Sequence, residues 1–366
     1  MYRRRVPAVL SAILLVSILL PAGAAAADPH WRTVARGLNN PRGVAVDSAG
    51  RVYVAEAGKG GSGRCMPGPE GGTVCLGRSG SITRISGGRQ QRIITRLPSI
   101  AATDGSFAIG PSDVSIRRGR VYATIGLGAD PRGRSSMPRY SANRLDTLLR
   151  ISLGATRRVA DIGAYEVAAN PDGGEIDSNA NAVVARRNGW AVVDAGGNAL
   201  LWVDLRGRVT TLAVFPGGMA PAPPFLGLPP GTMIPYQPVP TSVVVGPDGA
   251  YYVGQLTGFP FPKGEAKVWR VVPGRAPTVY ASGFTNIIDI AFRGRTLYVL
   301  EIAHNGLLSG DPTGALIRVR PDGGHQVIRT TGLEMPGGMA VGPNRSLYIS
   351  NRGTSPGQGQ VLRYTP

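Results

Sequence analysis

Two short apolar runs separated by a polar turn form a pattern that occurs six times along the chain. In residues 39–58 the runs are VAV and VYV, and the turn between them ends in Gly50 and Arg51. β-Branched and aromatic residues on both sides of a polar turn predict a β-hairpin. The pattern begins again near residues 110, 179, 239, 286 and 335. A hairpin repeated at this spacing indicates a repeat architecture.

A third apolar run follows each hairpin after a loop of variable length, as in SITRIS from Ser81 and TLLRIS from Thr147. Five copies continue into a fourth strand, at residues 92–96, 159–162, 209–215, 277–281 and 325–330. The sixth copy stops without one, but the segment HWRTVARGL at residues 30–38 resembles the fourth strands. Borrowing this segment would remove an exposed sheet edge. We therefore predict an all-β, six-bladed β-propeller with four-stranded blades, closed by the N-terminal strand that completes the last blade.

The first 27 residues carry a different pattern. Three arginines precede an apolar run at residues 6–20, and the small residues PAGAAAA follow. This order is typical of a secretory signal peptide, with cleavage near Ala27. A membrane anchor is the alternative, but the run is shorter than the roughly 18 residues that a span needs. We expect a signal peptide at residues 1–27, one propeller domain at residues 28–366, and a secreted or extracytoplasmic protein without a membrane span.

Both cysteines, Cys65 and Cys75, lie in the Gly-rich loop after the first hairpin. In an exported protein such a pair predicts a disulfide. A metal site is the alternative, although no histidine or further cysteine lies near them in sequence. We expect the bridge to order this loop more than the propeller.

The net charge of +18 favours anionic partners. However, only three of the 40 basic residues are lysines, and the arginines are scattered over all blades rather than clustered. A bias toward arginine codons explains this distribution better than a binding surface does. Nucleic acid is not expected as a partner, because the chain has no recognition motif. We expect a monomer whose partner is a small molecule, a glycan or an extracellular protein.

The lengths of the connections predict two unlike faces of the disc. The turns between first and second strands, and between third and fourth strands, are short. The long connections are residues 57–80, 98–109, 126–146, 163–178, 216–238, 256–266 and 302–314. Antiparallel pairing brings all the long connections to one face, which we call the loop-bearing face. Loops on a rigid scaffold commonly carry function, so this face is the expected binding face.

Polar side chains recur near the ends of the second strands and the starts of the first strands. We predict that they line a ligand-binding funnel at the channel mouth, formed by Glu56, Asp113, Asn179, Asp194, Asn198, Gln255, Asp289, Glu301 and Asn351. Oxygen ligands suit Ca²⁺, so Glu56, Asp194 and Glu301 are the candidate metal ligands. The alternative is that such side chains cap backbone groups or solvate the channel. No complete catalytic set is present, and His304 is the candidate general base.

Several blocks resemble the ScyD/ScyE family, exported propellers named after proteins of the cyanobacterial scytonemin gene cluster. These blocks are NPRGVAVDSAGRVYVAEAGKGGSG, NPDGGEIDSN, VVDAGGNALLWVD, VPTSVVVGPDGAYYVGQLTGFPFP and ASGFTNIIDIAF. More distantly, the hairpins are similar to NHL repeats and to the six-bladed TolB-like group, which includes SMP-30/gluconolactonase-type enzymes. The resemblance implies the fold and export, whereas the family has no settled activity. The chain departs from the pattern with Gln255 in place of a glutamate and with Asn179-Ala180-Asn181 in place of Asn-Pro-Tyr.

Two hypotheses about function follow, and the sequence leaves open whether the protein is an enzyme. The first is a secreted binding or accessory module that uses the loop-bearing face and the channel mouth. The second is a Ca²⁺-dependent hydrolase of the lactonase type, in which His304 or a carboxylate activates water.

Overall fold

The computed structural model describes residues 28, 30–68 and 71–366. The predicted signal peptide at residues 1–27 lies outside the described residues. Within them the chain forms six antiparallel blades of four strands each. Among the described residues, no helix has the length and apolar character needed to cross a membrane.

The strands follow the predicted repeat. Strand β1 (Trp31–Asn39) precedes blade 1, which contains β2 (Pro41–Val46), β3 (Val52–Glu56), the short β4 (Cys65–Pro67), β5 (Thr73–Ser86) and β6 (Arg89–Ala102). Blade 2 consists of β7 (Pro111–Arg117), β8 (Arg120–Ile125), β9 (Thr147–Ser152) and β10 (Ala155–Asp161). Blade 3 consists of β11 (Ala180–Arg186), β12 (Gly189–Asp194), β13 (Ala199–Asp204) and β14 (Val209–Val214).

A separate hairpin, β15 (Gly218–Pro221) and β16 (Met233–Tyr236), lies between blades 3 and 4. Blade 4 consists of β17 (Pro240–Val245), β18 (Tyr251–Gln255), β19 (Ala266–Val271) and β20 (Thr278–Phe284). Blade 5 consists of β21 (Ile287–Arg293), β22 (Thr296–Glu301), β23 (Ala315–Val319) and β24 (His325–Arg329). Blade 6 contains β25 (Gly338–Val341), β26 (Leu347–Asn351) and β27 (Pro356–Tyr364).

The ring is closed by the N-terminal strand. Strand β1 pairs antiparallel with β27, so that Trp31 lies opposite Tyr364 and Arg36 lies opposite Gln360. The Trp31 and Tyr364 rings stack with their centroids 4.6 Å apart. The first strand of every blade contacts the first strand of the next, and β25 returns to β2. The predicted six-bladed architecture and its closure are therefore confirmed.

The apolar core lies mainly between adjacent blades. Tyr122 and Leu148 of blade 2, for example, pack against Trp190 and Val192 of blade 3. All six residues of β12 are buried. Because each inner strand packs against neighbours on both faces, its sequence is a continuous apolar run rather than an alternating one.

Two short helices lie in the long connections, where the sequence predicted none. They are α1 (Arg139–Ala142) and α2 (Ile162–Ala169), and 3₁₀ turns lie at Pro131–Ser136, Pro224–Leu226 and Leu307–Ser309. The Asp161 carboxylate caps α2 by accepting the Ala164 N–H at 3.0 Å. The helix ends at Asn170, whose φ of 38° is left-handed. This capping fixes the helix between blades 2 and 3.

The predicted disulfide is present. Cys65 on β4 is bonded to Cys75 on β5, with a Cα–Cα distance of 4.0 Å. The two residues are also direct cross-strand partners. The bridge therefore holds β4 against the extended end of blade 1.

Candidate functional site

The polar residues predicted at the ends of the second strands lie at those strand ends, but their side chains are buried. The exposed fractions are 0% for Glu56, 1% for Asp194, 1% for Gln255, 2% for Glu301 and 0% for Asn351. Each side chain hydrogen-bonds to protein groups. The prediction placed these side chains on the surface of an open funnel, whereas the structure has them buried. The hydrogen bonds of each residue explain why it is buried.

Glu56 binds groups of blade 1 and the end of the closing strand β1. Its carboxylate accepts the Asn39 N–H at 2.8 Å, just before the first strand of blade 1. The Thr83 hydroxyl also donates to it. The Arg92 guanidinium on the outer strand β6 forms an ion pair with it at 2.7 Å. Glu56 therefore joins the inner and outer strands of blade 1, and Arg92 neutralises its charge.

The same role recurs in three further blades. Asp194 accepts the Asn179 N–H at 2.7 Å, and Glu301 accepts the Thr285 N–H at 2.6 Å. The Asn351 side-chain carbonyl accepts the N–H of Glu334 at 2.8 Å. In each case the donor lies one to four residues before the first strand of the blade. These side chains satisfy backbone groups that would otherwise be buried without a partner.

The two remaining blades show why the residue type varies. In blade 2 the equivalent N–H belongs to Ile109 and donates to the Ile100 carbonyl at 2.7 Å, so the apolar Ile125 suffices at the strand end. In blade 4 the equivalent residue is Pro238, which has no N–H. Gln255 instead accepts the Trp269 indole N–H at 2.7 Å. The residue at each strand end therefore matches the donor that is present.

The three candidate metal ligands lie in different blades. Glu56 ends β3 in blade 1, Asp194 ends β12 in blade 3, and Glu301 ends β22 in blade 5. Each is held by protein donors close to its own strand end. The part of the chain that the structure describes contains no group of three or more His, Cys, Asp or Glu side chains arranged to hold a metal. The geometry thus supports the capping alternative for these carboxylates.

His304 contacts one of these carboxylates. Its Nδ1 is hydrogen-bonded to Oε2 of the buried Glu301. The His304 side chain is 35% exposed, and its backbone N–H donates to the Thr313 carbonyl at 2.8 Å. Burial raises the pKa of Glu301, although the bonds from His304 and the Thr285 N–H oppose this effect. A partly exposed histidine oriented by a buried carboxylate is an arrangement that suits a general base.

Asp113 and Asp289 lie on the first strands of blades 2 and 5. Asp113 accepts the Val183 N–H of blade 3 at 2.8 Å, and Asp289 accepts the Met339 N–H of blade 6 at 2.6 Å. Each carboxylate therefore joins its own inner strand to the next blade. Burial raises the pKa of Asp289 to about 7. Burial, followed by the charge of Asp289, raises the pKa of Asp113 well above its ordinary value.

The two predicted asparagines also connect separate parts of the chain. The Asn179 side-chain oxygen accepts the Leu127 N–H at 3.2 Å. The Asn198 oxygen accepts the Val239 N–H at 3.2 Å, while its amide donates to Asp172 at 2.8 Å. The nine predicted funnel residues are thus distributed over all six blades.

The sequence analysis missed a group of carboxylates around Asp194. We call Asp146, Glu166, Asp177 and Asp194 the acidic cluster. Burial raises the pKa of Glu166 to about 7, with further contributions from the charges of Asp194, Asp172 and Asp177. Burial and the Asp194 charge also raise the pKa values of Asp146 and Asp177. The sequence does contain a signal, because eight of the 22 acidic residues lie between residues 130 and 194.

The long connections of the described residues line at least two cavities. The larger, which we call the acidic cavity, has a volume of about 640 Å³ and is lined by Pro67, Gly68, Gly128, Ala129, Asp130, Arg132, Glu175, Ile176 and Asp177. The smaller, of about 280 Å³, lies beside β15 and is lined largely by prolines. The acidic cavity is large enough for a small organic molecule.

Comparison with known proteins agrees with this architecture. The NHL repeat model matches residues 38–60, which form the first hairpin. The chain matches no curated protein. A structural genomics protein of unknown function from Bacteroides thetaiotaomicron VPI-5482 has a TM-score of 0.54 and 11% identity, with 90% of this chain and 70% of that chain covered.

Two further solved structures are similar over most of their length. Aldose sugar dehydrogenase from Streptomyces coelicolor, in its PQQ-bound form, has a TM-score of 0.52 and 14% identity, covering 91% of this chain and 96% of that chain. A candidate gluconolactonase has a TM-score of 0.50 and 12% identity, covering 94% of both chains. At these identities the similarity concerns the fold alone. The chain is therefore a six-bladed β-propeller whose first hairpin matches the NHL repeat.

Proposed function

We propose that this chain is an exported, non-catalytic propeller of the ScyD/ScyE type that binds a ligand on its loop-bearing face. The observation that carries this proposal is the use of the polar strand-end side chains. They hold backbone groups of the chain just before the first strand of a blade, as Glu56 and Asp194 do. The long connections, in contrast, line an open cavity of about 640 Å³ whose walls include Glu175 and Asp177.

Export is supported by the bond between Cys65 and Cys75, because disulfides persist mainly in oxidising compartments. The predicted signal peptide at residues 1–27 agrees with this location. We propose that the mature chain acts as a monomer. Its partner would be a small molecule, a glycan or an extracellular protein.

A second candidate is a hydrolase of the gluconolactonase type. The contact between His304 and the buried Glu301 favours it, since it orients the His304 imidazole as the candidate base at the edge of a long connection. The predicted Ca²⁺ would polarise a substrate carbonyl. The described residues, however, contain no prearranged set of three metal-binding side chains, so we derive no step through the ion.

A turnover assay separates the two proposals. Residues 28–366 would be incubated with glucono-δ-lactone and Ca²⁺, and acid release would be followed in a pH-stat. The variants are Glu301→Gln and His304→Ala, with His30→Ala as a control at an exposed histidine far along the chain. The binding proposal expects no turnover, or equal trace turnover in all four proteins. Turnover lost in Glu301→Gln and His304→Ala but retained in His30→Ala would overturn it.

A further inference from the structure

The face of the disc opposite the loop-bearing face is formed by the short turns of the blades, and we call it the short-turn face. Its inner turns, each with one strand residue on either side, are residues 46–52, 117–120, 186–189, 245–251, 293–296 and 341–347. Its outer turns, bounded in the same way, are residues 86–89, 152–155, 204–209, 271–278 and 319–325. We propose that this face docks on an anionic phospholipid bilayer. The inference goes beyond the proposed ligand binding, which uses the other face.

Basic residues are concentrated on the short-turn face. Its turns contain 14 arginines and only four acidic residues, all of them aspartates. The seven long connections of the opposite face, in contrast, contain eight basic and ten acidic residues. The arginines are thus spread over the blades but divided unequally between the two faces. A bias toward arginine codons explains arginine in place of lysine, but it does not explain this division.

The four aspartates of this face are already neutralised, whereas many of its arginines are not. Each aspartate has an arginine partner, in the pairs Asp47–Arg51 at 2.6 Å, Asp204–Arg208 at 3.6 Å, Asp248–Arg270 at 2.7 Å and Asp322–Arg320 at 3.4 Å. Five arginines of the inner turns are exposed and form no ion pair within the described part of the chain, namely Arg118, Arg120, Arg187, Arg295 and Arg345. Their guanidinium groups are available to phosphate oxygens, which they match in geometry.

Two further arginines fix the inner turns in place. Arg117 donates to the Arg186 carbonyl at 2.9 Å and to the Arg187 carbonyl at 2.6 Å, which links blades 2 and 3. Arg293 donates to the Arg345 carbonyl at 2.9 Å, which links blades 5 and 6. The exposed Arg187 and Arg345 therefore lie on turns whose backbone is held by the preceding blade. A fixed backbone reduces the conformational entropy that is lost on binding.

Two leucines at the tips of neighbouring outer turns are exposed on the same face. Leu153, between β9 and β10, is 82% exposed, and Leu205, between β13 and β14, is 58% exposed. The two hairpins are close together, because a Cβ built on Gly207 would lie 2.2 Å from the Val159 carbonyl oxygen on β10. Arg206 follows Leu205 directly. Exposed apolar side chains beside basic residues are typical of surfaces that enter the headgroup region of a membrane.

A bilayer fits these features better than a soluble polyanion does. Five of the six inner turns carry an arginine, so the positive charge is distributed around the ring. A planar surface contacts turns all around the ring at once, whereas a polymer chain contacts only those along its path. The exposed leucines find an apolar environment in a bilayer but not on a polyanion. Docking in this orientation leaves the loop-bearing face directed away from the membrane and open to a ligand.

The test is co-sedimentation of residues 28–366 with vesicles of phosphatidylcholine, prepared with and without phosphatidylglycerol. At an ionic strength of about 0.1 M we expect binding only to the vesicles that contain phosphatidylglycerol. Raising the ionic strength to about 0.5 M should weaken this binding at least about tenfold, because salt screens the attraction between the arginines and the lipid phosphates. These measurements use the unaltered chain, so they do not depend on the folding of a variant.

Variants then locate the binding surface. Arg118→Gln/Arg187→Gln/Arg295→Gln should weaken vesicle binding at least about tenfold. The matched control is Lys59→Gln/Arg139→Gln/Lys263→Gln, which removes the same charge from exposed residues of the long connections and should change the affinity by less than about twofold. Leu153→Ser/Leu205→Ser should weaken binding at least about fivefold. All substituted side chains are exposed, and the melting temperature of each variant checks its folding.

Three results would overturn the proposal. The first is binding to anionic vesicles that is absent or no stronger than binding to neutral vesicles. The second is an equal loss of binding in the two triple variants, which would show that only the net charge matters. The third is unchanged binding in the leucine double variant. If dextran sulfate binding is also weakened by the arginine substitutions in that case, the face belongs to a soluble polyanion instead.

Discussion

The Glu166 carboxylate lies on α2 among other acids and accepts no hydrogen bond from the described residues. Burial and then the Asp194 charge raise its pKa from 4.5 to about 7. In the unfolded chain the ordinary pKa applies, so the unfolded state releases this proton at lower pH than the folded state. The folded state is consequently weakened as the pH rises from about 4.5 through 7.

We therefore expect Glu166→Gln to stabilise the protein by roughly 1–3 kcal/mol at pH 8, because it removes a buried charge without removing a hydrogen bond. The gain should be smaller at pH 5, where the folded wild type is already protonated at this position. Urea unfolding at both pH values measures it. The same substitution at the exposed Glu175 serves as a control and should change stability little. A loss of stability in Glu166→Gln at pH 8 would contradict this account.

Residues at the strand ends show what repeat alignment could predict. Aligning the six copies placed Glu56, Asp194 and Glu301 at the ends of second strands, and the structure has them there. The burial of their side chains was not predictable. It depends on a backbone N–H group about 15 residues earlier in the chain, which becomes their hydrogen-bond partner only after folding. In blade 4 the donor position is Pro238, which has no N–H, and the residue at the end of the second strand is Gln255 rather than an acid.

At the scale of elements, β1 closes the ring by completing blade 6. Leu38 on this strand is 0% exposed and packs with Val54 and Val361. We expect Leu38→Ala to cost about 2–5 kcal/mol, since it leaves a cavity at the closure. Arg36→Ala on the same strand should change stability by no more than about 0.5 kcal/mol, because this side chain is exposed. Chemical denaturation of both variants tests the importance of closure, and equal effects would argue against it.

Elements outside the repeat were not predicted. Helix α2 has only eight residues, and the hairpin of β15 and β16 has four residues in each strand. Such short segments have too few positions to display a period. Their conformations are determined by caps and by packing between blades, as the Asp161 cap on α2 illustrates.

At the scale of the whole molecule, carboxylates fall into two groups with opposite effects on stability. Burial raises the pKa values of one group, which consists of Asp113, Asp146, Glu166, Asp177, Asp194, Asp289 and Glu301. Hydrogen bonds and ion pairs lower the pKa values of several others, including the exposed Asp104 and Asp322 and the partly exposed Asp204. Exposed ion pairs contribute little to the free energy of unfolding. The buried carboxylates therefore determine how stability changes with pH.

The buried group makes stability fall as the pH rises above the ordinary pKa of an aspartate. We expect the free energy of unfolding to be greater at pH 5 than at pH 8, as measured by urea denaturation across this range. Asp289→Asn should reduce the difference, because the pKa of Asp289 is raised to about 7. Stability that increases steadily from pH 5 to pH 8 would contradict this expectation.

The sequence by itself determined the number of blades, the order of their strands, the closing strand and the disulfide, because these follow from local apolar patterns, repetition and the spacing of two cysteines. The tertiary structure alone decided which acids meet. Asp146 lies in the connection between β8 and β9, whereas Glu166 and Asp177 lie in the connection between β10 and β11. They approach Asp194 only because blades 2 and 3 pack together. Burial, proximity and missing hydrogen-bond donors arise from packing, so the acidic cavity became recognisable only in the folded chain.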